Sequence, residues 1–133
     1  MAKEIMLDTN VLYSAIFHPN ERMLRLISKI AREHFLVISE EVLDELFEIA
    51  NRKAKDKISA IGVFFENICY LSASKRSYIE PNLFEIRDMK DYPILYAAIV
   101  VGVDVFITGD KDFDEVDIAR PEILTPTEFL EKY

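Results

Sequence analysis

Three aspartates of this 133-residue chain stand where an apolar run stops or a helix begins: Asp8 after Ile5-Met6-Leu7, Asp110 after the run Val103 to Thr108, and Asp91 ahead of Ile94-Leu95. A fourth acid, Asp44 or Glu45, borders the apolar stripe Val42, Leu43, Leu46, Phe47 and Ala50; both lie at about equal angular distance from that stripe, so periodicity does not choose between them. Hard oxygen donors without a Cys or His pair suit Mg²⁺ or Mn²⁺ and do not suit zinc. His18 and His34 are isolated at predicted helix ends. Carboxylate-held Mg²⁺ or Mn²⁺ typically acts on phosphates, lowering the pKa of a bound water and neutralising the leaving oxygen. The plainer alternative is that Asp8 and Asn10 only cap a helix.

Convergence of these acids requires a particular frame. Ile5-Met6-Leu7 suits a strand buried on both faces, and Asp8-Thr9-Asn10 is capping chemistry that turns a strand end into a helix start. A helix is predicted from about Val11 to Phe17, broken by His18-Pro19-Asn20, and a second carries Met23, Leu24, Ile27, Ile30 and Ala31 on one face with Arg22, Arg25, Lys29 and Arg32 outside it. Phe35 to Ile38 reads as a strand, and Ser39-Glu40-Glu41 as the cap and acidic first turn of a third helix. Asn51 to Lys57 is a basic helix end and turn, Ile58 to Ile68 a fourth helix, and Cys69-Tyr70-Leu71 a short third strand. Residues 72 to 87 carry no readable period. Asp88-Met89-Lys90-Asp91-Tyr92-Pro93 opens an apolar helix that Gly102 ends, and Val103 to Thr108 forms a buried strand. Ile123-Leu124-Thr125 is a last strand and Pro126 to Leu130 a closing helix. Alternation of strand and helix predicts one domain over residues 1–133, an α/β/α sandwich with a mostly parallel central sheet, which gathers strand ends on one edge.

Composition narrows the function. The net charge of −8 argues against general coating of nucleic acid, and it is uneven: residues 1–80 carry 11 Lys+Arg against 12 Asp+Glu, residues 81–133 carry 5 against 12. Bound cations at a carboxylate cluster would meet a phosphate backbone despite that charge, with Arg22 to Arg32 or Arg52 to Lys57 on the flanks. A single cysteine, Cys69, and no long apolar run predict a reduced, cytoplasmic protein that does not span a membrane. No Walker lysine loop, GxGxxG turn or GxSxG elbow is present.

Taken together, Leu7-Asp8-Thr9-Asn10-Val11-Leu12, Ser39 with Glu45-Leu46, Asp88-Met89-Lys90-Asp91 leading into Ile94 to Ala98, Ile107-Thr108-Gly109-Asp110-Lys111-Asp112-Phe113 and the closing Leu124 to Leu130 resemble the PIN domain family. Within it the chain is similar to small single-domain prokaryotic members such as the toxin components of VapBC-type pairs. The resemblance implies that the helix acid is Glu45, six residues after Ser39, and favours Asp91 over Asp88. It implies a metal-binding and catalytic quartet of Asp8, Glu45, Asp91 and Asp110, with Asn10, Ser39, Thr108, Asp88 and Asp112 as supporting residues and Asp114 as a further acid nearby. It further implies a Mg²⁺- or Mn²⁺-dependent endoribonuclease acting on RNA, a homodimer, and an antitoxin protein as partner. Tyr92-Pro93 departs from the small or polar residues usual after that aspartate. The rival from another class is a non-catalytic PIN-fold module that binds RNA or protein; a quartet of convergent acids counts against it. A receiver-like phosphoacceptor would place paired acids after the first strand, where this chain has Asp8-Thr9-Asn10.

Overall fold

A computed structural model describes all residues, Met1–Tyr133. Five strands, β1 (Glu4–Leu7), β2 (Phe35–Ser39), β3 (Leu71–Ala73), β4 (Val105–Ile107) and β5 (Glu122–Leu124), form one sheet in the order β3-β2-β1-β4-β5. Every pairing is parallel. Six helices connect and cover it: α1 (Thr9–Phe17), α2 (Glu21–Glu33), α3 (Glu40–Lys53), α4 (Ser59–Glu66), α5 (Tyr92–Val101) and α6 (Pro126–Lys132). Successive side chains of a strand point to opposite faces, and Ile5, Met6, Leu7, Val105, Phe106 and Ile107 are all fully buried, so both faces of the central strands are covered. That is the three-layer arrangement expected from the alternation of elements.

The strand order reverses between β1 and β4. Chain winding runs outward from β1 through β2 to β3, then crosses back to β4 and β5. A crevice outside the carboxyl ends opens at such a switch point. Local chemistry starts the helices there: Asp8 caps α1 through Thr9, Ser39 caps α3 through Val42, and Thr125 with Glu128 forms a full capping box on α6. Gly102, in the left-handed conformation at φ 81°, ends α5 and frees the chain for β4.

Three expectations shift. The third strand begins at Leu71 and runs to Ala73, not over Cys69 to Leu71, because Val37 to Ser39 of β2 pair with those later residues. On α2 the buried stripe is Met23, Leu26 and Ile30, whereas Leu24 and Ala31 face outward. Both outward residues line an apolar cleft of about 860 Å³ with Ile27, Val63 and Phe64. Phe47, assigned to the buried stripe of α3, is exposed because no element covers that side of the helix.

Residues 74 to 88 form a strap without regular structure that leaves β3 and reaches the start of α5. Since α5 must return to the amino ends to feed β4, the strap stays on the carboxyl edge. Tyr92 pins it there: its hydroxyl accepts from Leu83 N at 2.9 Å and donates to Glu80 O at 2.6 Å, while its ring stacks on buried Phe84 at 4.3 Å. The tyrosine that departs from the family pattern is therefore the strap's anchor.

Candidate functional site

Asp8 ends β1 at the switch point and is almost wholly buried. Its Oδ1 accepts from Thr9 N at 2.8 Å and its Oδ2 from the Thr108 hydroxyl at 2.8 Å. Thr108 ends β4, and its Oγ1 also accepts from Asp110 N at 3.0 Å. One hydroxyl thus ties together the acids that follow the two central strands. Burial pushes the Asp8 carboxyl up to about 6; the Thr108 and Thr9 hydrogen bonds pull it down, and the charges of Glu45 and Asp110 raise it again.

Asp91 lies at the start of α5 yet its side chain caps nothing. Asp88 does the local capping, its Oδ1 accepting from Lys90 N at 3.0 Å. Asp91 Oδ2 is therefore buried without a hydrogen-bond partner. Burial, followed by the charges of Asp8, Asp110, Asp88 and Glu45, raises its carboxyl to about 7. Those four acids arrive from β1, β4, the strap and α3, and all act on one carboxyl.

The tightest carboxylate grouping is Asp88, Asp91 and Asp112, each offering an oxygen within 4.8 Å of the others. Two of its members, Asp88 and Asp112, were expected as supporting residues. Asp112 reaches the site because Asp110 Oδ1 accepts from Asp112 N at 2.9 Å, which winds the chain into a short 3-10 turn. Arg87 pairs with Asp112 at 3.6 Å, a strap residue for which residues 72–87 offered no sequence signal. Of the other supporting residues, Ser39 caps α3, its Oγ accepting from Val42 N at 3.2 Å. Asn10 is exposed and lines a cleft with Asp110 and Arg22. Asp44 is exposed and paired with Lys75. Asp114 is exposed and lines a cleft with Thr108, Val116 and Ile118.

The donor set fits a hard divalent cation. It is all oxygen, it includes an orphaned buried oxygen on Asp91, and the spread of its outer trio approaches what an octahedral ion at about 2.1 Å tolerates. Burial is the largest cause of both raised carboxyls, and the like charges around them add to it.

The PIN domain family matches residues 4–112, and the chain belongs to that family. No curated protein matches the sequence. Among solved structures, a chain of VapBC2 from Rickettsia felis bound to a DNA fragment from their promoter is similar at TM-score 0.68 and 20% identity, covering 91% of this chain and 96% of that one. Mycobacterium tuberculosis VapC20, a toxin that cleaves the sarcin-ricin loop, is similar at TM-score 0.60 and 14% identity, covering 83% and 92%. At such identities the likeness describes the fold.

Proposed function

We propose that this chain is a Mg²⁺- or Mn²⁺-dependent endoribonuclease of the PIN family, the toxin of a toxin–antitoxin pair. The observation that carries this reading is the orphaned Asp91 Oδ2 on a carboxyl that feels the charges of Asp8, Glu45, Asp88 and Asp110, an arrangement that is costly without a cation and useful with one. Asp8, Glu45, Asp91 and Asp110 are the residues that would hold it, with Asp88 and Asp112 on the outer side. A divalent ion there supplies charge neutralisation at a scissile phosphate and an activated water. Thr108 holds the Asp8 carboxylate and the Asp110 backbone in one orientation, which would preset the two inner acids for a cation. Asp88 is exposed at the rim and has the solvent access needed to accept a proton from the attacking water. Clefts of about 320 Å³, beside Arg87 and Asp112, and about 570 Å³, beside Asn10 and Asp110, flank the acids and leave room for substrate on both sides.

The partner side of the reading rests on the apolar cleft of about 860 Å³ between α1, α2 and α4, where Leu24 and Val63 are more than half exposed. An antitoxin segment is the occupant the family suggests, and the chain is proposed to act in the cytoplasm as a homodimer. No helix is long and apolar enough to cross a membrane.

The test is cleavage of a labelled RNA panel by purified protein with Mn²⁺, with Mg²⁺ and with EDTA, alongside Asp8→Asn and Asp91→Asn variants. Metal-dependent cutting that both folded variants lose supports the nuclease. Equal cutting by parent and variants would remove the acid site from the reaction.

A further inference from the structure

On this chain of net charge −8, eleven of the sixteen Lys and Arg side chains have no acid within 4.0 Å, and Arg22, Arg25 and Arg32 of α2 are three of them. Together with Lys29 they recur at intervals of three, four and three residues, which places them in one row about 15 Å long at 1.5 Å per residue. Lys29 is the member with a partner, Glu33 at 3.4 Å, and Glu21 and Glu131 are the other acids of the cleft that this row forms with α6. The three arginines are exposed and unpaired, with three acids elsewhere in the same cleft.

The row is continuous with the acid site. Arg22 and Thr127 line the α2/α6 cleft of about 570 Å³ and also the second cleft of similar volume that contains Asn10, Gly109 and Asp110. Arg22 is held at this junction by a hydrogen bond from its Nη1 to Thr127 Oγ1 at 3.2 Å. At the other end, α2 finishes at His34, which accepts from Lys3 N beside the amino end of β1. The row thus descends from the site along one flank of the molecule. A groove with cations spaced along a backbone path is the arrangement that holds single-stranded nucleic acid.

We infer that Arg22, Arg25 and Arg32 form a phosphate track that carries single-stranded RNA between the acid centre and the outer face of α2, with Arg22 as its inner anchor. The inference rests on the nuclease reading for its direction, and it selects between two basic runs. Arg52 and Lys53 occupy the last turn of α3, and Lys55 and Lys57 the short 3-10 turn after it, about 20 Å along that helix from the strand ends and away from the acids.

The experiment compares the parent, an Arg22→Ala/Arg25→Ala/Arg32→Ala variant and a Lys53→Ala/Lys55→Ala/Lys57→Ala control. Binding of a fluorescent 12-nucleotide single-stranded RNA is read by anisotropy over a salt series in the Asp8→Asn background, and cleavage is read in the native background with Mn²⁺. The substituted side chains are exposed, and a thermal melt verifies folding. The arginine variant is expected to bind at least tenfold more weakly, with its log affinity against log salt slope reduced by about 2, the value for three lost single-strand phosphate contacts. Its KM should rise by a similar factor with kcat within about twofold, and the lysine control should match the parent. Unchanged affinity and slope in the arginine variant overturn the track, leaving that face to a protein partner. If the track is lost with the arginines while nothing cuts, the track stands and the nuclease reading falls. If the parent cuts and the arginine variant cuts equally well, the track alone falls.

Discussion

Thr108 is the residue through which the two central strands act as one site. Its hydroxyl donates to a nearly buried carboxylate and accepts from the backbone of the next acid. Thr108→Val keeps the shape and removes both bonds, so the Asp8 oxygen loses its strongest support in a place where water does not replace it. Urea unfolding should show a loss of about 1–3 kcal/mol at neutral pH, and Mn²⁺ affinity measured by calorimetry should fall by at least tenfold. Asp91→Asn makes the contrasting case. It removes the charge that four neighbouring acids oppose, so the metal-free variant should melt higher than the parent at pH 8. The same variant should lose most of the melting-temperature gain that Mn²⁺ confers on the parent, the pattern expected where stability and function compete. A variant that melts lower than the parent without metal would contradict the repulsion described above.

At the scale of elements, the strap is positioned by a tyrosine that the family pattern does not explain. Phe84 supplies the apolar half of the contact and the Tyr92 hydroxyl supplies the polar half. Tyr92→Phe preserves the ring stack and the packing of α5, so the fold should survive with a cost of about 1–2 kcal/mol. Its effect should be local: the Leu83 amide exchanges faster with solvent in a hydrogen-exchange measurement, while core amides of β1 and β4 keep their order of protection. Because Arg87 and Asp88 ride on that strap, the same substitution should weaken metal binding. Protection at Leu83 equal to the parent's would show that the stack alone holds the strap.

For the whole molecule, the acids make stability depend on pH in a direction opposite to that of paired carboxylates. At pH below 3.8, the ordinary value, Asp8 and Asp91 are protonated in the folded and the unfolded chain and impose no cost. As pH rises toward about 6 for Asp8 and about 7 for Asp91, the unfolded chain releases those protons first, so unfolding becomes progressively easier. Above about 7 the full cost is present, of the order of 3 kcal/mol from Asp8. A divalent cation competes with the same protons. The Mn²⁺-induced rise in melting temperature should therefore be small at pH 5.5 and large at pH 7.5, and EDTA should abolish it at both. A gain that is equal at the two pH values would place the cation elsewhere.

Legible in the sequence were the alternation of strands and helices, the caps at Asp8 and Ser39, and the position of Asp8 and Asp110 just past the two central strands; the Thr125 cap was not, since Thr125 read as the end of the last strand. These follow from side-chain periodicity and from hydrogen bonds between near neighbours, which a linear reading contains. The choice of Glu45 over Asp44 was not of that kind. Both border the apolar stripe equally, and the resemblance made the choice; in the fold, Glu45 acts electrostatically on Asp8 and Asp91 while Asp44 turns out to Lys75. The outward turn of Leu24 and Phe47 was likewise hidden, since an apolar residue at the right spacing is buried only if another element arrives to cover it. The gathering of Asp88 and Asp112 with Asp91, the anchoring of an aperiodic strap by Tyr92 and the placement of Arg22 in one cleft with Asp110 emerge only in the folded chain. Each of these depends on where a crossover returns after the strand order reverses between β1 and β4, and that is a property of long-range packing that no local pattern of residues carries.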